Sequence, residues 1–216
     1  MIDRLKKEAF GVNFYDEQEI KAVFEAVKDT QLELPVMMAT FYGLRRNEVI
    51  NLKWDAVDFE AHTIKICKSK YGNRTLPLIP VFCEKLLALK AEQEINRALY
   101  GDDYCDDYLG YICVNQNGEL IKPGYITTEF STLLKKKSLR IMRFQELRHI
   151  CASILHAHGV SMKKTLEWLG LSDSPTVTSI YVHSDLQSRN EPVEVMLAAL
   201  GLADKAMIVE AIDTAS

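Results

Sequence analysis

The chain has 216 residues, enough to bury a sizeable core as one large domain. Apolar residues make up 48% and charged residues 26%; this is an ordinary globular balance, and no apolar run approaches the ~20 residues of a membrane span. A formal charge of −4 from 26 basic and 30 acidic side chains counts, as a total, against a nucleic-acid partner.

The distribution of charge matters more than the sum. Acid gathers at Asp102, Asp103, Asp106 and Asp107, and base at Lys135, Lys136, Lys137, Arg140 and Arg143. A basic face on an acidic protein therefore stays open, beside the plainer reading that both runs are solvated surface. Five cysteines, with no C-x-x-C pair, suggest neither a disulfide framework nor a zinc site. Free thiols and a start without an apolar signal segment point to a reducing, cytoplasmic setting.

In chain order, Ile20, Val23, Phe24 and Val27 recur at helical spacing and predict a helix over 16–27. A second helix is expected over 34–42, stopping at Gly43, and a short third over 46–52. Three β-type segments follow at 56–59, 63–67 and 74–79, with Tyr71-Gly72-Asn73 as the turn between the last two. The stripe Leu86, Leu87, Leu89, Ile95 and Leu99 predicts a helix over 81–99, residues 111–114 read as a short buried strand, and 115–118 as a turn. Further helices are expected at 124–137, 145–158, 161–169, 175–181, 191–200 and 203–212. The fold class is mainly α with a small antiparallel β-sheet, α+β, and periodicity goes no further than that.

Four local patterns go further. Gly43-Leu44-Arg45-Arg46-Asn47-Glu48, with Leu52-Lys53-Trp54 behind it, resembles the first arginine box of tyrosine recombinases. The stretch from Cys67 through Lys68, Lys70 and Arg74 to Leu78 resembles that family's β-hairpin lysine segment. Arg143-Phe144-Gln145-Glu146-Leu147-Arg148-His149 is similar to the second arginine box, usually H-x-x-R-H. Leu169-Gly170-Leu171-Ser172 and Tyr181-Val182-His183 resemble the closing box, in which L-G-H-S precedes a nucleophilic tyrosine. Each box alone is a weak signal, but the four stand in the family's order over 13–185.

The resemblance implies the tyrosine recombinase, or integrase, catalytic-domain fold. It also implies DNA cutting and rejoining through a 3′-phosphotyrosyl intermediate on double-stranded DNA, as a homo-oligomer (a tetramer), with no cofactor, no metal and no membrane. The domain boundaries that follow are a linker or remnant at 1–12, the catalytic domain at 13–190, and a helical tail at 191–216 for subunit docking or for packing on its own domain. Family members carry a further N-terminal DNA-clamping domain, so a piece of a longer protein is expected in preference to a naturally short form.

The residue roles follow from the same resemblance and suit the chemistry. A phosphodiester in flight needs preorganised donors on its oxygens, and guanidinium supplies them bidentately at every relevant pH. Arg45, with Arg46 as its rival, and Arg148 are the expected clamp. Lys68, with Lys70 as the alternative, is the expected general acid for the leaving oxygen. Tyr181 is the nucleophile, a weak one at its ordinary pKa of ~10 unless it is held in line and deprotonated.

Two positions depart from the pattern. Gln145 stands where the family has histidine and can donate a hydrogen bond but not shuttle a proton. Leu171 replaces a second histidine and donates nothing from its side chain. His149 is expected as a buried structural partner, and His156 and His158 as surface or capping residues. The substitutions motivate a second reading, a catalytically impaired homologue that binds DNA or regulates. A bare helical interaction domain would require the four patterns to be coincidence.

Overall fold

The computed structural model describes residues 16–69, 72–171 and 190–202. Eight α-helices, three single-turn 3-10 helices and one small sheet are the regular elements of this part, and one apolar core runs through it. Helix α1 (Glu17–Val27) starts at Asp16, whose carboxylate accepts from the Glu19 N–H while Glu19 accepts from the Asp16 N–H. This reciprocal pair satisfies two amides that a helix start leaves unbonded. Helix α2 (Glu33–Phe41) is buried along almost its whole length, as befits a central element with no polar face. Helix α3 (Arg46–Ile50) follows after the turn at Gly43.

Strands β1 (Val57–Asp58), β2 (Thr63–Ser69) and β3 (Gly72–Pro77) form an antiparallel sheet in that order. Ile64 faces Leu76 and Ile66 faces Arg74, after which the register shifts toward Ser69 opposite Gly72. Gly72 and Asn73 thus belong to β3, not to the expected turn. Tyr42 ties sheet to core: its hydroxyl donates to the Pro77 carbonyl at 2.9 Å and accepts from the Ile79 N–H at 3.4 Å. Its ring packs with Phe41, Phe82 and Trp168.

Helix α4 (Pro80–Tyr100) begins with proline, which suits a position whose N–H has no helical partner. Val81, Phe82 and Leu86 on it are buried and Leu89 packs against the core, whereas Leu87, Ile95 and Leu99 are exposed, so only the first part of the expected apolar stripe faces the core. Residues 111–114 form isolated bridges to Lys53 and Leu120, not a strand, although Ile112 and Cys113 are buried as expected. Gly118 closes the 115–118 turn with an N–H to Asn115 carbonyl bond of 3.0 Å.

Helices α5 (Pro123–Lys136), α6 (Glu146–Ala157) and α7 (Met162–Leu169) follow, and α8 (Asn190–Leu200) packs on α6, α1 and α7, burying Met196, Ala199 and Leu200. The helices expected at 175–181 and 203–212 lie outside the described residues. No helix among the described residues is long and apolar enough to cross a membrane.

Candidate active site

The site is built where α2 and α7 end. The last carbonyls of a helix have no intrahelical partner and carry the negative end of its dipole. Here they are met by side chains from α6 and α7. The Phe41 carbonyl accepts from Trp168 Nε1 at 3.1 Å and from Cys151 Sγ at 3.3 Å. Arg148 reaches between the two helix ends, donating from Nη1 to the Gly43 carbonyl and from Nη2 to the Leu169 carbonyl, the latter at 2.6 Å. Two of the five N–H donors of a guanidinium are thereby used, and the group is fixed by backbone on both sides.

Gly43 makes the approach possible. Its φ is +62°, and a Cβ there would lie 2.2 Å from Leu169 Cδ2 and 3.7 Å from Arg148 Cγ. Only glycine meets both demands, left-handed backbone and empty space. Cys151, buried beside it, is pushed up to about 12 by burial, so it stays a neutral thiol.

Arg45 sits immediately before α3. The Glu48 carboxylate accepts the Arg45 N–H at 2.9 Å and Arg45 Nη1 at 3.1 Å. The same carboxylate accepts Arg74 Nη1 at 3.3 Å and Nη2 at 3.2 Å from strand β3. Glu48 and Arg74 are both buried, while Arg45 keeps 37% of its side chain exposed. Arg46, the alternative to Arg45, instead turns to α5, where Nη1 meets Thr127 Oγ1 at 2.6 Å.

The charges are mutually felt. Burial first, and then the positive charges of Arg45 and Arg74, bring Arg148 down to about 10 from 12.5, with Glu48 and Cys151 opposing. Arg148 is still a cation at neutral pH. Three guanidiniums, those of Arg45, Arg74 and Arg148, thus lie within electrostatic reach of the Glu48 carboxylate in an acidic chain.

The other expected site residues divide. Gln145 lies at the turn that starts α6 and is exposed. Leu171 is half-buried against the core, its N–H bonded to the Leu166 carbonyl at 2.8 Å. The backbone of Lys68 lies in β2, but its side chain, Lys70, Tyr181 and His183 lie outside the described residues. His149 is exposed, contrary to expectation. His158 caps α6, its Nδ1 3.0 Å from the Ile154 carbonyl, and His156 is exposed. No group of three His, Cys, Asp or Glu that could hold a metal occurs among the described residues.

Sequence reasoning assigned nothing to Glu48 and Arg74. Glu48 stands three residues after Arg45, the spacing at which a side chain reaches back to a helix start, and that was the available signal. Arg74 was visible as part of the hairpin pattern but its pairing was not, because its partner is 26 residues away in the chain and is brought near only by the sheet.

A model of the phage integrase family matches residues 13–188. The chain belongs to the phage integrase family. A XerC-like tyrosine recombinase of Caldanaerobacter subterraneus subsp. tengcongensis is 24% identical over 210 residues, covering 86% of this chain and 54% of that protein. XerC of Staphylococcus epidermidis is 24% identical over 184 residues, covering 82% of this chain and 59% of that protein. The chain thus spans little more than half the length of these integrase-family relatives.

The folds agree as well. The Tn1549 transposon integrase, solved with transposon right-end DNA, has a TM-score of 0.61 at 17% identity, covering 85% of this chain and 65% of that one. The lambda integrase catalytic core gives 0.56 at 18%, covering 74% and 96%. As a tetramer bound to a Holliday junction, lambda integrase gives 0.54 at 19%, covering 76% and 48%. The fold is that of a tyrosine recombinase catalytic domain.

Proposed function

We propose that the chain is the catalytic domain of a site-specific DNA recombinase of a phage or conjugative element, with Arg45 and Arg148 as the phosphate clamp and Tyr181 as the nucleophile. The observation that carries this reading is the backbone-fixed Arg148 beside the Arg45–Glu48–Arg74 group at the ends of α2 and α7. Donors held rigid by backbone before the reaction stabilise developing phosphate charge without reorganising.

In the proposed step Tyr181 Oη attacks the scissile phosphorus. The Oη–P bond forms, the bond from phosphorus to the 5′-oxygen breaks, the phenolic proton passes to a base, and the 5′-oxygen takes a proton from Lys68 or Lys70. Attack by a 5′-hydroxyl reverses the step and joins the strands. No metal enters this chemistry. Double-stranded DNA is the partner, and assembly on it is as a tetramer, the arrangement in which lambda integrase has been solved on a Holliday junction.

A second reading rests on Leu171, which packs against the core where the family pattern places a donor. Loss of one such donor typically lowers a rate ~10²–10³-fold, so a silent homologue that only binds DNA is the alternative. Covalent trapping on nicked suicide substrates, with Tyr181→Phe as control, tests both. An adduct that is lost in the control is the expected result. DNA binding without an adduct, followed by an adduct when Gln145→His and Leu171→His are introduced together, would favour the silent homologue.

A further inference from the structure

We propose that Arg74 is a positioning residue whose task is to hold the Glu48 carboxylate and take up part of its charge, so that less of that charge is set against Arg45 when phosphate arrives; this rests on the recombinase reading above. Glu48 is shared between two guanidiniums. Arg74 takes both of its oxygens, at 3.3 and 3.2 Å, while Arg45 takes one side-chain bond at 3.1 Å and one backbone bond at 2.9 Å. Arg74 and Glu48 are both almost wholly buried, where charges interact strongly, whereas Arg45 reaches solvent.

The position of Arg74 is set from the other side by Gly170. A Cβ at Gly170 would lie 2.7 Å from Arg74 Nη1 and 3.2 Å from Cζ, so the guanidinium fits against bare backbone there. Its buried Nε–H has no acceptor among the described residues. The side chain is therefore placed to serve Glu48 at the expense of its own hydrogen bonding. Arg74 also lies on β3, paired with Ile66 of the strand that carries Lys68, so it joins the hairpin to the start of α3 and the end of α7.

Without Arg74, more of the negative charge of Glu48 would fall on Arg45, with Arg148 sharing in it. Arg74→Met should then lower single-turnover adduct formation by at least about tenfold, with the Kd for duplex DNA changing less than about threefold, because the loss falls on charge that develops in the transition state. Removing both members of the pair in E48Q/R74M should recover most of the rate, and Arg74→Lys, which keeps a cation on Glu48, should recover part of it.

The experiment measures adduct formation, duplex Kd and melting for the full chain and these three variants. It also measures the rise in melting temperature given by inorganic phosphate over chloride at equal ionic strength. Phosphate should stabilise the parent, much less R74M, and again E48Q/R74M and R74K. If R74M does not fold, the double and lysine variants carry the test. Double-variant rates and phosphate shifts as low as those of R74M, or below half the lysine variant's where R74M is unfolded, would overturn the proposal, as would R74M behaving like the parent. A parent that binds DNA but forms no adduct sinks the recombinase reading alone; the phosphate shifts then decide the role of Arg74, and a parent indifferent to phosphate overturns it.

Discussion

Burial alone would push the Glu48 carboxyl up. The Arg74 hydrogen bonds and charge, then the Arg45 backbone N–H and charge, more than reverse this and leave it below the ordinary value of about 4.5. A carboxylate with a lowered folded pKa contributes stability that is fully present above its unfolded pKa and is lost as pH falls through the folded one. The parent should therefore lose stability between about pH 4.5 and the lower folded value. Glu48→Gln should be flatter across that window, having forfeited about 3 kcal/mol at neutral pH by leaving Arg74 buried without its counter-ion. Melting temperature against pH from 3 to 7 measures both, and parallel curves below pH 5 would show that the arginines do not hold Glu48 ionised.

Gly43 extends the same reasoning to elements, since it is where α2 ends and lets α6 and α7 close on that end. Gly43→Ala meets a left-handed φ of +62° and a 2.2 Å approach to Leu169. The backbone contributes roughly 1–2 kcal/mol of strain, and displacement of Leu169, whose carbonyl holds Arg148, adds to it. A total loss of about 2–4 kcal/mol in urea unfolding is expected, and a loss under about 1 kcal/mol would mean that the α7 end yields freely. Gly43 was legible in the sequence as a helix stop, but its closeness to Leu169 was not.

The rest of the elements divide in the same way. Helix starts at Asp16, Pro80 and Ser161 were readable because capping and proline chemistry are local. Helical spacing on α4 was readable too, yet it could not say what covers the stripe. A 21-residue helix is about 30 Å long; its first turns enter the core, Leu89 and Gln93 still touch the body through the core and through Trp54 and Ile112, and Ile95 and Leu99 beyond them are exposed. Within the site, the arginine patterns were visible in the chain, whereas the Glu48–Arg74 pair is a product of the sheet's register and needed the fold.

At the scale of the whole molecule, the total charge of −4 and the proposed DNA partner conflict only if charge is averaged. Of the basic run, Arg140 pairs with Glu19 at 3.0 Å and Arg143 with Glu146 at 3.1 Å, whereas Lys135, Lys136 and Lys137 are exposed at the end of α5. Arg46 of α3 meets Thr127 on that helix, and nine residues of helical rise put the lysines roughly 14 Å further along it. That distance is less than the width of a DNA duplex, so one bound duplex is expected to touch both α3 and the lysines. Each phosphate contact released lowers the slope of log K against log salt by about 0.9. Changing all three lysines to glutamine should therefore reduce the slope by about 2–3 and weaken binding of unrelated duplexes alike, as loss of phosphate contacts does. Fluorescence anisotropy across a salt series measures it. An unchanged slope would place the duplex elsewhere and return the lysine run to plain solvated surface.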